Sequence, residues 1–192
     1  GFLLLGLTFA VYIVIKRFKV FPKFKYILLF LAGMILIIGS WLSIELYQNG
    51  VDIVLKFIAY QVELFNSPVA GHEQPFYYHF IVVFFGCFPI SLFALHSFKP
   101  SKEKYPNDIR LWMICLFWVV MILFSLSTTK IIHYSSMTYI PLSFLACLFV
   151  YRVIKGEIVW KKYISVLFLI VGILLATVFT GLPLLIMNKE VL

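Results

Sequence analysis

Apolar residues fall in long runs along this chain, separated by short polar stretches. The runs Phe2 to Ile15, Tyr26 to Ile44, Phe76 to Leu95, Leu111 to Leu126, Ser135 to Val150 and Ile164 to Met187 carry no acidic or basic side chain apart from an occasional histidine. A bilayer core about 30 Å thick takes around 20 apolar residues as a helix, and shorter runs are accommodated by polar flanks. The pattern predicts an all-α, polytopic transmembrane helix bundle of about six spans, forming a single domain over residues 1–192. The first run is short and begins at Gly1, with its basic residues after it and none ahead. That order is opposite to a signal peptide. It predicts a span cut short, so that the chain is the C-terminal part of a longer protein.

The connection from Glu45 to Gln74 has a different period. Asp52, Lys56 and Glu63 lie four and seven residues apart, and Ile53, Val54, Phe57, Ile58, Val62 and Phe65 cover the rest of a helix. This predicts an amphipathic outer interfacial helix, or a short helix packed on neighbouring spans; Gln61 falls on its apolar side. Pro89, Pro141 and Pro183 lie within runs, where kinks are expected. Gly172, Ala176 and Thr180 recur every fourth residue, a stripe suited to close helix packing.

Composition sharpens the solvent. The chain is 63% hydrophobic and 12% charged with a mean hydropathy of +1.04, against roughly 25% charged residues in soluble domains. No sizeable soluble domain fits beside the spans. The net charge of +8 would suggest nucleic acid in a soluble protein, but in a membrane chain basic residues report orientation. Residues 16–25, 96–110 and 151–163 hold 13 of the 16 Lys and Arg. The positive-inside rule therefore places these loops in the cytoplasm and the chain's start and end outside, in a multi-pass membrane protein. No nucleic-acid partner is expected. Cys87, Cys115 and Cys147 all lie in apolar runs, as packing residues rather than a disulfide or metal framework.

Two outer segments interrupt the apolar pattern: Gly71 to His79, and Ser127 to Tyr134. Pro75 suits the opening position of a helix, whose positive N-terminal end would favour an anion. His72 and Gln74 just before it supply donors; the plainer reading is an exposed His72 beside an aromatic belt of Tyr77 and Tyr78. If the helix of Leu111 to Leu126 continues outward, Lys130, His133 and Tyr134 share one face. A lysine at membrane depth is costly without an anionic partner, so a lipid phosphate is the first candidate, and a snorkelling lysine the plain alternative. His79 and His96 lack metal-ligand spacing, so no metal site is assigned.

The stretch Phe57-Ile58-Ala59-Tyr60-Gln61, Pro68, Gly71-His72-Glu73-Gln74-Pro75-Phe76-Tyr77-Tyr78-His79 and Phe85-Gly86-Cys87-Phe88-Pro89 resembles the mid-chain region of bacterial GT-C glycosyltransferases. These are relatives of the aminoarabinose transferase that modifies lipid A and of the protein O-mannosyltransferases. Leu123 to Tyr134, with Pro141, resembles the same family's later outer segment, so the likeness covers residues 57–146. It implies transfer of a sugar from a polyprenyl-phosphate donor to an acceptor at the outer face of the membrane. Lys130 would then pair with the lipid phosphate, and His72, Gln74, Tyr77, Tyr78, His133 and Tyr134 would line the cavity. The family's catalytic Asp belongs to a first outer loop absent from this sequence, so no catalytic residue is expected within it and the fragment alone is expected to be inactive. Implied partners are membrane lipids, the polyprenyl-linked sugar and the missing N-terminal part; the sugar, the acceptor and any divalent metal are left open. A lipid-linked-sugar flippase or a structural membrane subunit are the alternatives, the first disfavoured by the apolar midplane.

Overall fold

A computed structural model describes residues 2–66, 74–99 and 107–190, with side chains described for 3–63, 74–99 and 108–183. The described residues form eight α-helices: α1 (Phe2–Ile15), α2 (Phe24–Asn49), α3 (Val51–Asn66), α4 (Tyr78–Gly86), α5 (Ile90–Ser97), α6 (Asn107–Leu126), α7 (Tyr139–Ile154) and α8 (Lys162–Glu190). A 3₁₀ helix, Ile132–Thr138, leads into α7. Every apolar run is helical, and no β-strand occurs among the described residues. The chain is an all-α, multi-pass membrane protein.

Of the six expected spans, four are long and apolar enough to cross a membrane unbroken: Phe24–Asn49, Asp108–Leu126, Ile132–Ile154 and Lys162–Pro183. α1 is apolar but shorter. The expected span Phe76 to Leu95 is instead two helices, α4 and α5, bent by 109°. The cause sits in the sequence. Pro89 has no N–H and its ring excludes the carbonyl four residues earlier, while Phe88, preceding a proline, is driven out of helical geometry. The break frees the Phe84 carbonyl, and Ser91 Oγ takes it up by donating a 2.6 Å hydrogen bond. Membrane-depth backbone is thus satisfied from within. The other two prolines do not break their helices. Pro141 falls in the first turn of α7, where a missing N–H goes unneeded, and α8 runs on through Pro183.

The core forms where α4 and α5 meet α6 and α7. Val83, Ala94, Phe117, Met121, Leu142, Leu145 and Ala146 are buried together. On the far side of α6, Leu4 of α1 packs against Leu116, Val119 and Val120. α8 joins through aromatic rings: Phe168 stacks on Phe88 and Phe93 at centroid separations of 5.3 and 6.1 Å. Gly172 lets the Phe88 ring approach to 3.7 Å of where its Cβ would stand. The other two residues of that small-residue stripe, Ala176 and Thr180, are exposed. α2 buries no residue. It meets α3, whose Ile53, Val54, Phe57 and Ile58 face Ile38, Trp41, Leu42 and Glu45 across a cavity.

α6 has 20 residues, about 30 Å of helix, and its two ends differ. At its start Lys16 pairs with Asp108. Arg110 Nε donates to the Ser97 carbonyl at 2.9 Å, and a second guanidinium nitrogen donates to the Lys99 carbonyl. His96 Nε2 and the Tyr163 hydroxyl lie 2.8 Å apart. The three lysine- and arginine-rich stretches are thereby tied together at one end of the bundle.

Candidate functional site

At the other end α6 stops at Leu126, its last turn closed by Ser127 N–H donating to the Leu123 carbonyl at 3.2 Å. The chain then doubles back rather than continuing as helix. Lys130 folds over the helix end, and its Nζ donates to the Ser127 carbonyl at 2.8 Å. A cation at a helix C-terminus satisfies an orphan carbonyl and opposes the negative end of the dipole. Lys130 is therefore only 7% exposed. One of its three N–H groups is used, and no carboxylate lies within ion-pair distance among the described residues.

This turn overturns the expectation that Lys130, His133 and Tyr134 share one helical face. Lys130 lies before the 3₁₀ helix, and His133 and Tyr134 are neighbours inside it, their rings edge-to-face at 5.1 Å. The polar run Ser127-Thr128-Thr129 disfavours helix continuation because hydroxyls compete for the backbone. His133 is exposed. Tyr134 is half-buried and packs on Phe124 at 5.1 Å. Tyr60 of α3 lies within electrostatic range of the Tyr134 hydroxyl, which brings the amphipathic helix to this end of the bundle.

The two expected outer segments do meet. Gln74 and Pro75 join Leu126, Ser127, Thr128 and Lys130 around an open cleft of about 570 Å³. Pro75 does not itself open the helix. Its carbonyl accepts from Tyr78 N–H at 2.9 Å in a single turn, and α4 begins at Tyr78. Tyr77 is exposed and Tyr78 half-buried; neither lines the cleft. His72 and Glu73 lie outside the described residues.

One residue dismissed on its sequence gains importance. His79, in the first turn of α4, is fully buried, and neither ring nitrogen has a hydrogen-bond partner among the described residues. Its ring meets Tyr78 edge-on at 5.4 Å and Phe124 at 6.4 Å, and Lys130 lies within electrostatic range. The signal was available: a polar, ionisable residue inside an apolar run is a functional candidate by default. Metal-ligand spacing was the wrong filter for it. Among the described residues no three of His, Cys, Asp and Glu converge on a metal position.

No family model matches the chain, and no solved structure matches it. An uncharacterized protein of Aquifex aeolicus (strain VF5) is 27% identical over 179 residues, covering 91% of this chain. The chain spans 38% of that relative's length.

Proposed function

We propose that this chain is the donor-binding part of a GT-C type glycosyltransferase of the bacterial inner membrane, with its basic end in the cytoplasm and the Gln74–Lys130 cleft outside. The observation that carries the reading is Lys130. A buried cation facing an open polar cleft, with no carboxylate opposite it among the described residues, calls for an anionic partner, because isolated charges are costly to bury. A polyprenyl phosphate supplies that charge at the membrane boundary. Gln74 and Thr128 line the same cleft as further hydrogen-bonding groups. In transfer the bond between the sugar's anomeric carbon and the phosphate oxygen breaks, and negative charge grows on that oxygen. Lys130 would stabilise it in a low-dielectric setting where such a contact counts for most. The carboxylate that would act as base, taking the acceptor's proton as the acceptor bonds to the anomeric carbon, would come from a part of the protein outside this sequence.

A second feature supports a lipid-linked donor. Beside the break between α4 and α5 lies an apolar recess of about 660 Å³, lined by Phe80, Phe84, Phe85, Phe117, Trp118 and Met121 among others. It would take part of an isoprenoid chain. A broken span also suits a transporter. Yet Ser91, the polar residue at this break, spends its hydroxyl proton on a backbone carbonyl, and the walls of the recess are almost wholly apolar.

The test is photo-crosslinking of the full-length protein in proteoliposomes with a diazirine-bearing polyprenyl phosphate. Label is expected on peptides containing Gln74 and Thr128, and excess unlabelled polyprenyl phosphate should compete it away. Label spread evenly over α2 and α8, and insensitive to competition, would reject the reading.

A further inference from the structure

A second fissure lies nearer the basic end, remote from the cleft. Leu5, Gly6 and Phe9 of α1, Trp112 of α6, and Pro22, Tyr26, Ile27 and Phe30 at the start of α2 enclose a space of about 360 Å³, within the range of roughly 300–1,000 Å³ typical of small-molecule sites. Its walls are almost wholly apolar. Its mouth is the turn between α1 and α2, where Pro22 and Tyr26 stand among Lys19, Lys23 and Lys25. These three lysines are exposed and have no ion-pair partner among the described residues. Lys25 Nζ stands 5.5 Å from the centre of the Tyr26 ring, which forms part of the fissure wall. No acidic residue occurs before Glu45, and the nearby Asp108 is already taken by Lys16.

We infer that this fissure is a site for an anionic glycerophospholipid of the leaflet that faces the basic end, with one acyl chain between α1 and α2 and the phosphate on Lys19, Lys23 and Lys25. Charge complementarity selects the occupant. Clustered lysines beside a membrane helix attract anionic headgroups, and the adjoining slot is apolar, walled mostly by residues of the apolar runs of α1, α2 and α6. A zwitterionic lipid would fill the slot equally well but would leave the lysines without a net opposite charge. The bound lipid would fasten α2, which otherwise buries no residue of its own, to α1 and α6.

The experiment measures headgroup selectivity of the full-length protein, using spin-labelled phosphatidylglycerol and phosphatidylcholine in vesicles. Wild type is expected to prefer phosphatidylglycerol several-fold. The triple variant Lys19→Gln, Lys23→Gln, Lys25→Gln should lose about tenfold or more in affinity for it, given the contribution of each lysine near an anionic surface. Gly6→Leu keeps the charges and puts a side chain into the slot, where a Cβ at Gly6 meets nothing within 4 Å. It should lose the preference as well. Retained selectivity in Gly6→Leu would reduce the effect to general surface attraction and overturn the site. So would retained selectivity in the triple variant, or displacement of the lipid by inorganic phosphate.

Discussion

Replacing His79 by Leu tests the physics of this bundle at its most unusual residue. His79 is 0% exposed and both ring nitrogens lack partners among the described residues. A neutral imidazole carries one donor and one acceptor, and each buried group left unpaired costs about 1–3 kcal/mol. Leu has a comparable volume and no polar atom, and its neighbours include Phe124. His79→Leu should therefore stabilise the ligand-free chain by about 2 kcal/mol, the low end for two unmade bonds. For a chain of this size that corresponds to about 4–8 °C in Tm. The assay is thermal unfolding in detergent, followed by tryptophan fluorescence. A second readout is the rise in Tm on adding polyprenyl phosphate, which should shrink in the variant if stability and binding trade off here as at other functional sites. A fall in Tm of the ligand-free variant would refute the reasoning. It would mean that the ring is satisfied in the bundle, for instance by a buried water.

Met121 is fully buried in the core shared by α4 to α7, so Met121→Ala should cost about 2–5 kcal/mol of stability, seen as a lower unfolding midpoint. Ala94 is fully buried on α5 in the same cluster; Ala94→Leu should overpack it and cost about 1–3 kcal/mol by the same measurement. At Gly172 an added methyl meets the Phe88 ring at an ordinary 3.7 Å. Gly172→Ala should then gain up to about 1 kcal/mol from helix propensity, whereas Gly172→Leu should lower the midpoint by pushing Phe88 off Phe168.

The helices were legible because membrane solvation writes them into composition: a backbone in hydrocarbon must close its own hydrogen bonds, so a long apolar run has one solution. α1 begins and ends at the expected residues, and the amphipathic period over Asp52, Lys56 and Glu63 marks a real helix, α3. The bend at Pro89 was foreseen in place but not in size. A proline announces a lost hydrogen bond, while the 109° turn depends on Ser91 and on the packing of α5 against α7. Lys130 failed for a different reason. Spacing arguments presume a continuing helix, and the run Ser127-Thr128-Thr129 ends it, so the lysine became a cap at the helix terminus. Its proximity to Gln74 was still anticipated, because both segments had been placed on the same side by the distribution of charge. His79 was missed because its isolation in the sequence hides its nearness to Lys130 in space.

The most direct test of the proposed donor site compares sugar transfer by the full-length protein with that of Lys130→Gln and Lys130→Arg. Gln removes the charge but keeps an N–H donor; Arg keeps the charge. Loss of one charge-assisted contact to the donor phosphate, about 1.5–3 kcal/mol, should slow transfer by about 10- to 150-fold in Lys130→Gln, and Lys130→Arg should recover part of the rate. Transfer by Lys130→Gln within twofold of wild type would contradict the assignment of Lys130 to the phosphate.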